Sequence, residues 1–139
     1  MFNILLVDDD ALVLKSVSRA LNFIYYVATA YSVTEAETLL AGASPFRVVV
    51  TDIRMPGDDG FKLLERCGPK YPDTRFIVLS GCQDVATVRR IEASPYVFRF
   101  LQKPASVSDI ATAMIDARRS LGLDEDPTPA FEVTGSISY

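Results

Sequence analysis

The feature that most constrains this chain is a fivefold alternation. Short apolar runs take turns with longer segments whose apolar residues recur at helical spacing. Residues 3–7 (NILLV), 47–51 (RVVVT) and 75–79 (RFIVL) each hold a continuous apolar stretch, the pattern of a strand covered on both faces. Residues 26–30 and 97–101 are β-prone and complete a set of five. Between the strands, 11–22 places Leu14, Val17 and Leu21 near helical spacing. Ser32 and Glu35 form a capping-box pair for a helix that closes near Gly42. MPGDDG (55–60) is a loop by its Pro and Gly content, followed by a helix to about Cys67. Asp84 caps a helix through Ala93, and Ser106 with Asp109 opens a last helix that ends near Gly122.

A strand–helix unit repeated five times, with strands buried on both faces, implies a parallel sheet with helices on either side. Right-handed crossovers then leave few topologies. The expected fold is α/β, a doubly wound five-stranded (βα)5 sheet of the flavodoxin-like type with strand order 2-1-3-4-5. Its span is residues 1–122. Residues 123–139 hold two prolines, four acids and no base, and are expected to be a flexible tail or linker. Since the whole chain has 18 acidic and 14 basic residues, the net charge of −4 lies entirely in that tail.

Composition excludes several functions. There is no histidine, so Ser/His/Asp and Cys/His catalysis and zinc–histidine sites are absent. Cys67 and Cys82 have no metal or redox spacing and are expected to be reduced thiols of a cytoplasmic protein. No basic stripe suits DNA or RNA, no apolar run suits a membrane span, and MFNILLV lacks the basic flank of a signal peptide.

The polar residues gather at the carboxyl ends of the expected strands, where sheets of this kind bind ligands. Asp8 and Asp9 follow the first strand, Asp52 the third, Ser80 the fourth and Lys103 the fifth. Three carboxylates crowded together need compensation, and one lysine is not enough. A hard divalent cation such as Mg²⁺ completes such a set. A carboxylate beside Mg²⁺, a lysine and a hydroxyl is equipped to receive a phosphoryl group.

Four stretches, ILLVDDD (4–10), VVVTDIRMPGDDG (48–60), IVLSG (77–81) and FLQKP (100–104), stand in an order that resembles the receiver domain of two-component response regulators, of the CheY-like superfamily. The resemblance covers residues 2 to about 121. It implies that Asp52 is the phosphoacceptor, supplied by a histidine kinase, a phosphotransfer protein or a small phosphodonor. It implies that Asp8 and Asp9 hold Mg²⁺ with Asp52 and the backbone carbonyl of Arg54. Lys103 would pair with the phosphoryl oxygens, in a Lys103–Pro104 peptide that is commonly cis in the family. Ser80 would be the switch hydroxyl and Phe100 the switch aromatic. The family often has tyrosine there, and phenylalanine offers no hydroxyl to a partner. Cys82 stands where the family tunes phosphoryl lifetime, and its side chain provides no base for water.

Each residue alone has an ordinary reading. Asp52 could end a strand at a turn, Ser80 could cap a loop, and Lys103 could be a solvated charge. Asp10 reads as the charge at a helix start, and Asp58 and Asp59 as solvated acids. Two rival functions share part of this pattern. Asp8-Asp9-Asp10 superficially fits the opening of a haloacid dehalogenase-type phosphatase, but Ala11 and Leu12 follow where small residues and threonine are usual. A receiver-shaped binding module that is never phosphorylated is the other, and the complete acidic, hydroxyl and lysine set argues against it. The expected protein is a self-modifying switch, not a multiple-turnover enzyme. Its output face would be the fourth helix, fifth strand and fifth helix, including Val88, Arg89, Glu92, Tyr96, Arg99 and residues near Asp116 and Arg118. The mixed charge there permits a homodimer, or contact with an output domain or downstream protein.

Overall fold

The computed structural model describes residues 2–123. In chain order the elements are β1 (Asn3–Val7), α1 (Ala11–Leu21), β2 (Tyr26–Ala30), α2 (Val33–Leu40), β3 (Val48–Thr51), α3 (Gly60–Cys67), β4 (Arg75–Ser80), α4 (Val85–Ala93), β5 (Val97–Gln102) and α5 (Val107–Ser120). The strands form one parallel sheet in the order β2-β1-β3-β4-β5. This is the flavodoxin-like α/β fold expected from the alternation.

Residues alternate between two cores because successive side chains in a strand point to opposite faces. Leu5, Val7, Val49, Phe76 and Val78 join residues of α2, α3 and α4 in one cluster. Ile4, Leu6, Val48, Val50, Ile77 and Leu79 join those of α1 and α5 in the other. Almost every residue of β1, β3 and β4 is buried, which explains their unbroken apolar runs. The outer strands β2 and β5 are only partly covered.

Each helix begins on a residue whose side-chain oxygen accepts a backbone N–H: Asp10, Ser32, Asp59, Asp84 and Ser106. The Ser106–Asp109 capping box is complete. At α2 half of the expected box is shifted: Ser32 accepts from Glu35, but the Glu35 carboxylate takes the N–H of Tyr31 instead of that of Ser32.

Two sequence expectations need correction. Asp59 is the α3 cap, and Asp58 pairs with Arg66 at 2.7 Å, so both acids are engaged. Arg118 is buried, with its guanidinium 5.4 Å above the Phe2 ring, and does not belong to an exposed output face. Of the tail expected from residue 123, Leu123 packs against the α1–α5 core; the remainder lies outside the described residues. Among the described residues no helix is long and apolar enough to cross a membrane.

Candidate functional site

The register levels the strand ends that carry the polar residues. Val7 lies beside Thr51, Thr51 beside Val78, and Ser80 beside Gln102. The residues that follow therefore converge at the carboxyl end of the sheet. Carboxylate oxygens of Asp8, Asp9 and Asp52 lie within 4.8 Å of one another. Asp8 is buried, Asp52 half-buried and Asp9 exposed, so the cluster runs from the interior to solvent.

Lys103 reaches in from the end of β5. Its Nζ donates to Asp8 Oδ2 at 2.8 Å and to Asp52 Oδ2 at 3.0 Å. The second oxygen of each acid is held by local backbone: Asp8 Oδ1 accepts from Asp10 N at 2.9 Å, and Asp52 Oδ1 from Ile53 N at 2.7 Å. Burial raises the Asp8 pKa, although the Lys103 ammonium and the Asp10 amide pull the other way. Burial would lower that of Lys103, but the hydrogen bonds to Asp8 and Asp52 outweigh it and hold the ammonium above its ordinary range.

One ammonium thus faces three carboxylates. The donors are all oxygen, the set suited to a hard cation, and the residues present fit a metal ion there. The three consecutive acids of the sequence divide between two tasks. Asp8 and Asp9 face the cluster, while Asp10 caps α1 by accepting from Leu12 N at 2.9 Å and Val13 N at 3.4 Å.

The model of the response regulator receiver domain family matches residues 4–115. The chain belongs to this family. It is 33% identical over 123 residues to the photosynthetic apparatus regulatory protein RegA of Cereibacter sphaeroides, covering 86% of this chain and 64% of RegA. The chain therefore spans less than two thirds of that relative's length. Among solved structures, that of an adenylate cyclase from Rhodopirellula baltica is 36% identical with a TM-score of 0.80, covering 87% of this chain and 90% of that one. A BeF3-activated receiver domain, DrrB, is 25% identical with a TM-score of 0.75, covering 86% and 98%.

The rest of the receiver's pocket is built from β4 and its loop. Ser80 is buried at the end of β4, its hydroxyl donating to Cys82 Sγ at 3.2 Å and accepting from Cys82 N at 3.4 Å. Lys103 N donates to Ser80 O at 2.9 Å, tying the ends of β4 and β5 together. The Lys103–Pro104 peptide is cis. Phe100 is half-buried and packs against the α2–α4 core.

Two contributors were not visible as such in the sequence. The family resemblance gives a role to the Arg54 backbone carbonyl, yet its side chain makes a bridge. Nε donates to Cys82 Sγ at 3.3 Å, and the guanidinium meets Asp84 at 2.8 Å and Thr87 at 3.2 Å. It links the loop after β3 to the cap of α4. The Asp84 carboxyl is held down to about 2, by the Thr87 hydroxyl and amide and by Arg54. Gly60 is the second. Its N–H donates to Ile53 O at 2.8 Å, and a Cβ there would stand 2.2 Å from Asp52 O. No side chain can occupy that position while the Asp52 backbone stays in place.

Proposed function

We propose that this receiver accepts a phosphoryl group on Asp52 and thereby switches a partner-binding face. The observation that carries the reading is the Lys103 bridge between Asp8 and Asp52, beside Asp9, at the carboxyl end of the sheet. A carboxylate oxygen of Asp52 attacks the phosphorus of a phosphohistidine on a histidine kinase or phosphotransfer protein, or of a small donor such as acetyl phosphate. The P–N bond (P–O in the small donor) breaks, its electron pair leaves with the departing group, and an acyl phosphate forms on Asp52. Asp8, Asp9, Asp52 and the Arg54 carbonyl would hold Mg²⁺, which when bound supplies charge neutralisation at the phosphoryl oxygens.

Lys103 is placed to exchange an Asp52 oxygen for a phosphoryl oxygen with little movement. Ser80 turns from Cys82 toward the new group, and Phe100 follows. The change reaches α4, β5 and α5, where Val88, Arg89, Glu92, Tyr96 and the Arg99–Asp116 pair (2.6 Å) form the output face. A partner protein, an output domain or a second copy binds there; nucleic acid does not. Attack by water on phosphorus returns phosphate and restores the Asp52 carboxylate. The domain, ending near residue 122, is a cytoplasmic switch modified once per cycle and not a multiple-turnover enzyme.

Incubation with acetyl phosphate and Mg²⁺, followed by intact-mass measurement, tests this. One phosphoryl group per chain is expected, and none on Asp52→Ala. A wild type that takes no label would favour a receiver-shaped binding module.

A further inference from the structure

The far edge of the sheet, away from the output face, is unusual in its chemistry. Sheet edges offer unpaired N–H and C=O groups, and proteins ordinarily guard them with charges or proline. Here β2 is an edge strand, and residues 20–34 contain neither a charged residue nor a proline. The trough beside it is lined by Asn3, Tyr26, Val27, Ala28, Ser44 and Phe46, again without a charge. Tyr26 in β2 is 62% exposed, and Phe23 and Tyr31, which flank the strand in sequence, are 90% and 51% exposed. Since an aromatic side chain buries roughly 150–250 Å², these three leave on the order of 400 Å² of surface. That is about half of the roughly 800 Å² each partner contributes to a standard interface.

The hydrogen-bonding pattern restricts the register to hydrogen-bonded pairs of odd-numbered residues. Tyr26 N donates to Phe2 O, and Ala30 O accepts from Asp8 N, so the even-numbered residues of β2 face β1. In a parallel ladder the alternate residues, Val27 and Thr29, then direct their backbone groups outward. A two-fold axis at Ala28 would set Val27 of each copy opposite Thr29 of the other, in antiparallel hydrogen-bonded pairs. Ala28 would meet Ala28 at the close, non-hydrogen-bonded position, where a small side chain suits the short Cα separation. An uncharged strand pairs with itself without repulsion, whereas recognition of a different protein is generally sharpened by complementary charge.

We propose that β2 is a self-association edge. Two copies join antiparallel through Val27–Thr29, extending the sheets into one continuous ten-stranded sheet, with the symmetry of an isologous dimer. This contact is independent of the phosphorylation site and lies on the opposite sheet edge from β5.

Sedimentation of the full chain across a micromolar concentration series tests the proposal, with and without beryllofluoride and Mg²⁺. The wild type is expected to pass from monomer to dimer with rising concentration in both conditions. Tyr26→Lys is expected to remain monomeric with an unchanged circular dichroism spectrum. A disulfide is expected to link two copies of Ala28→Cys under mild oxidation and not two copies of Thr29→Cys, which reads the register directly. A wild type that stays monomeric, or a dimer that survives Tyr26→Lys but is lost in Arg99→Glu, overturns the proposal.

Discussion

Replacing Lys103 with methionine keeps most of the side-chain volume and removes the ammonium that bridges Asp8 and Asp52. Lys103 Nζ stands 2.8 and 3.0 Å from the two carboxylates, with side chains 20% (lysine), 6% (Asp8) and 12% (Asp52) exposed. At such separations each pair attracts by about 6 kcal/mol at an effective dielectric constant of about 20. Desolvation of the ammonium offsets several kcal/mol of that sum, and the variant is expected to lose about 3 kcal/mol at neutral pH in the absence of metal. Ordinary domains have about 5–15 kcal/mol to lose, so the variant remains folded enough to measure.

The pH dependence gives the sign. The folded Asp8 pKa is already raised, so ionising it costs stability as pH climbs from 3.8 through the folded value. Without Lys103 that value rises further and the costly window widens upward. The deficit of the variant should therefore shrink on acidification, by at most about 1.4 kcal/mol per pH unit for a single group. Lys103 itself has a raised pKa, so its contribution is complete below 10.5 and fades as pH rises through the folded value. Urea unfolding followed by circular dichroism, from neutral pH toward pH about 4, measures the deficit as an energy. A variant as stable as the wild type at neutral pH, or a deficit unchanged on acidification, would refute the reasoning. Added Mg²⁺ should recover more stability in the variant than in the wild type.

Three further outcomes are expected. Gly60→Ala places a methyl group against Asp52 O and should cost about 1–3 kcal/mol while slowing labelling of Asp52; a melting curve with a phosphorylation time course checks both. Asp10→Ala should cost about 1 kcal/mol through loss of the α1 cap and leave Mg²⁺ affinity near that of the wild type, by calorimetric titration. Cys82→Asn, which puts a polar amide where a thiol now holds the Ser80 hydroxyl, should shorten the lifetime of phosphorylated Asp52; equal dephosphorylation rates would show that this position sets nothing.

The central strands were legible because both their faces are buried, which leaves no polar alternation in β1, β3 or β4. Their order is one of the few that a parallel arrangement and right-handed crossovers permit. The pocket was legible for a related reason: acids, a serine and a lysine stood at strand ends, and topology alone brings strand ends together. Side-chain destinations were harder. Asp58 and Asp59 are adjacent and chemically identical, yet one reaches Arg66 and the other caps α3, a choice made by backbone direction in the loop. Arg118 did carry a signal, for it stands four residues after Met114 and seven after Ala111, in the buried stripe of α5. Its charge concealed that, because a guanidinium can lie over an aromatic ring while its stem is buried. Nothing in the spacing of Gly60 announced that Asp52 O would lie against it. The reach of Arg54 to α4 likewise depended on a tertiary contact between loops that are far apart in sequence.

The Arg54 bridge makes one side chain serve two regions. One guanidinium grips the thiol beside Ser80 and the cap of α4 together. A substitution at Arg54 cannot alter the mouth of the pocket without also loosening the start of that helix. A variant that replaces this arginine should lose the contacts to the thiol, to Asp84 and to Thr87 together.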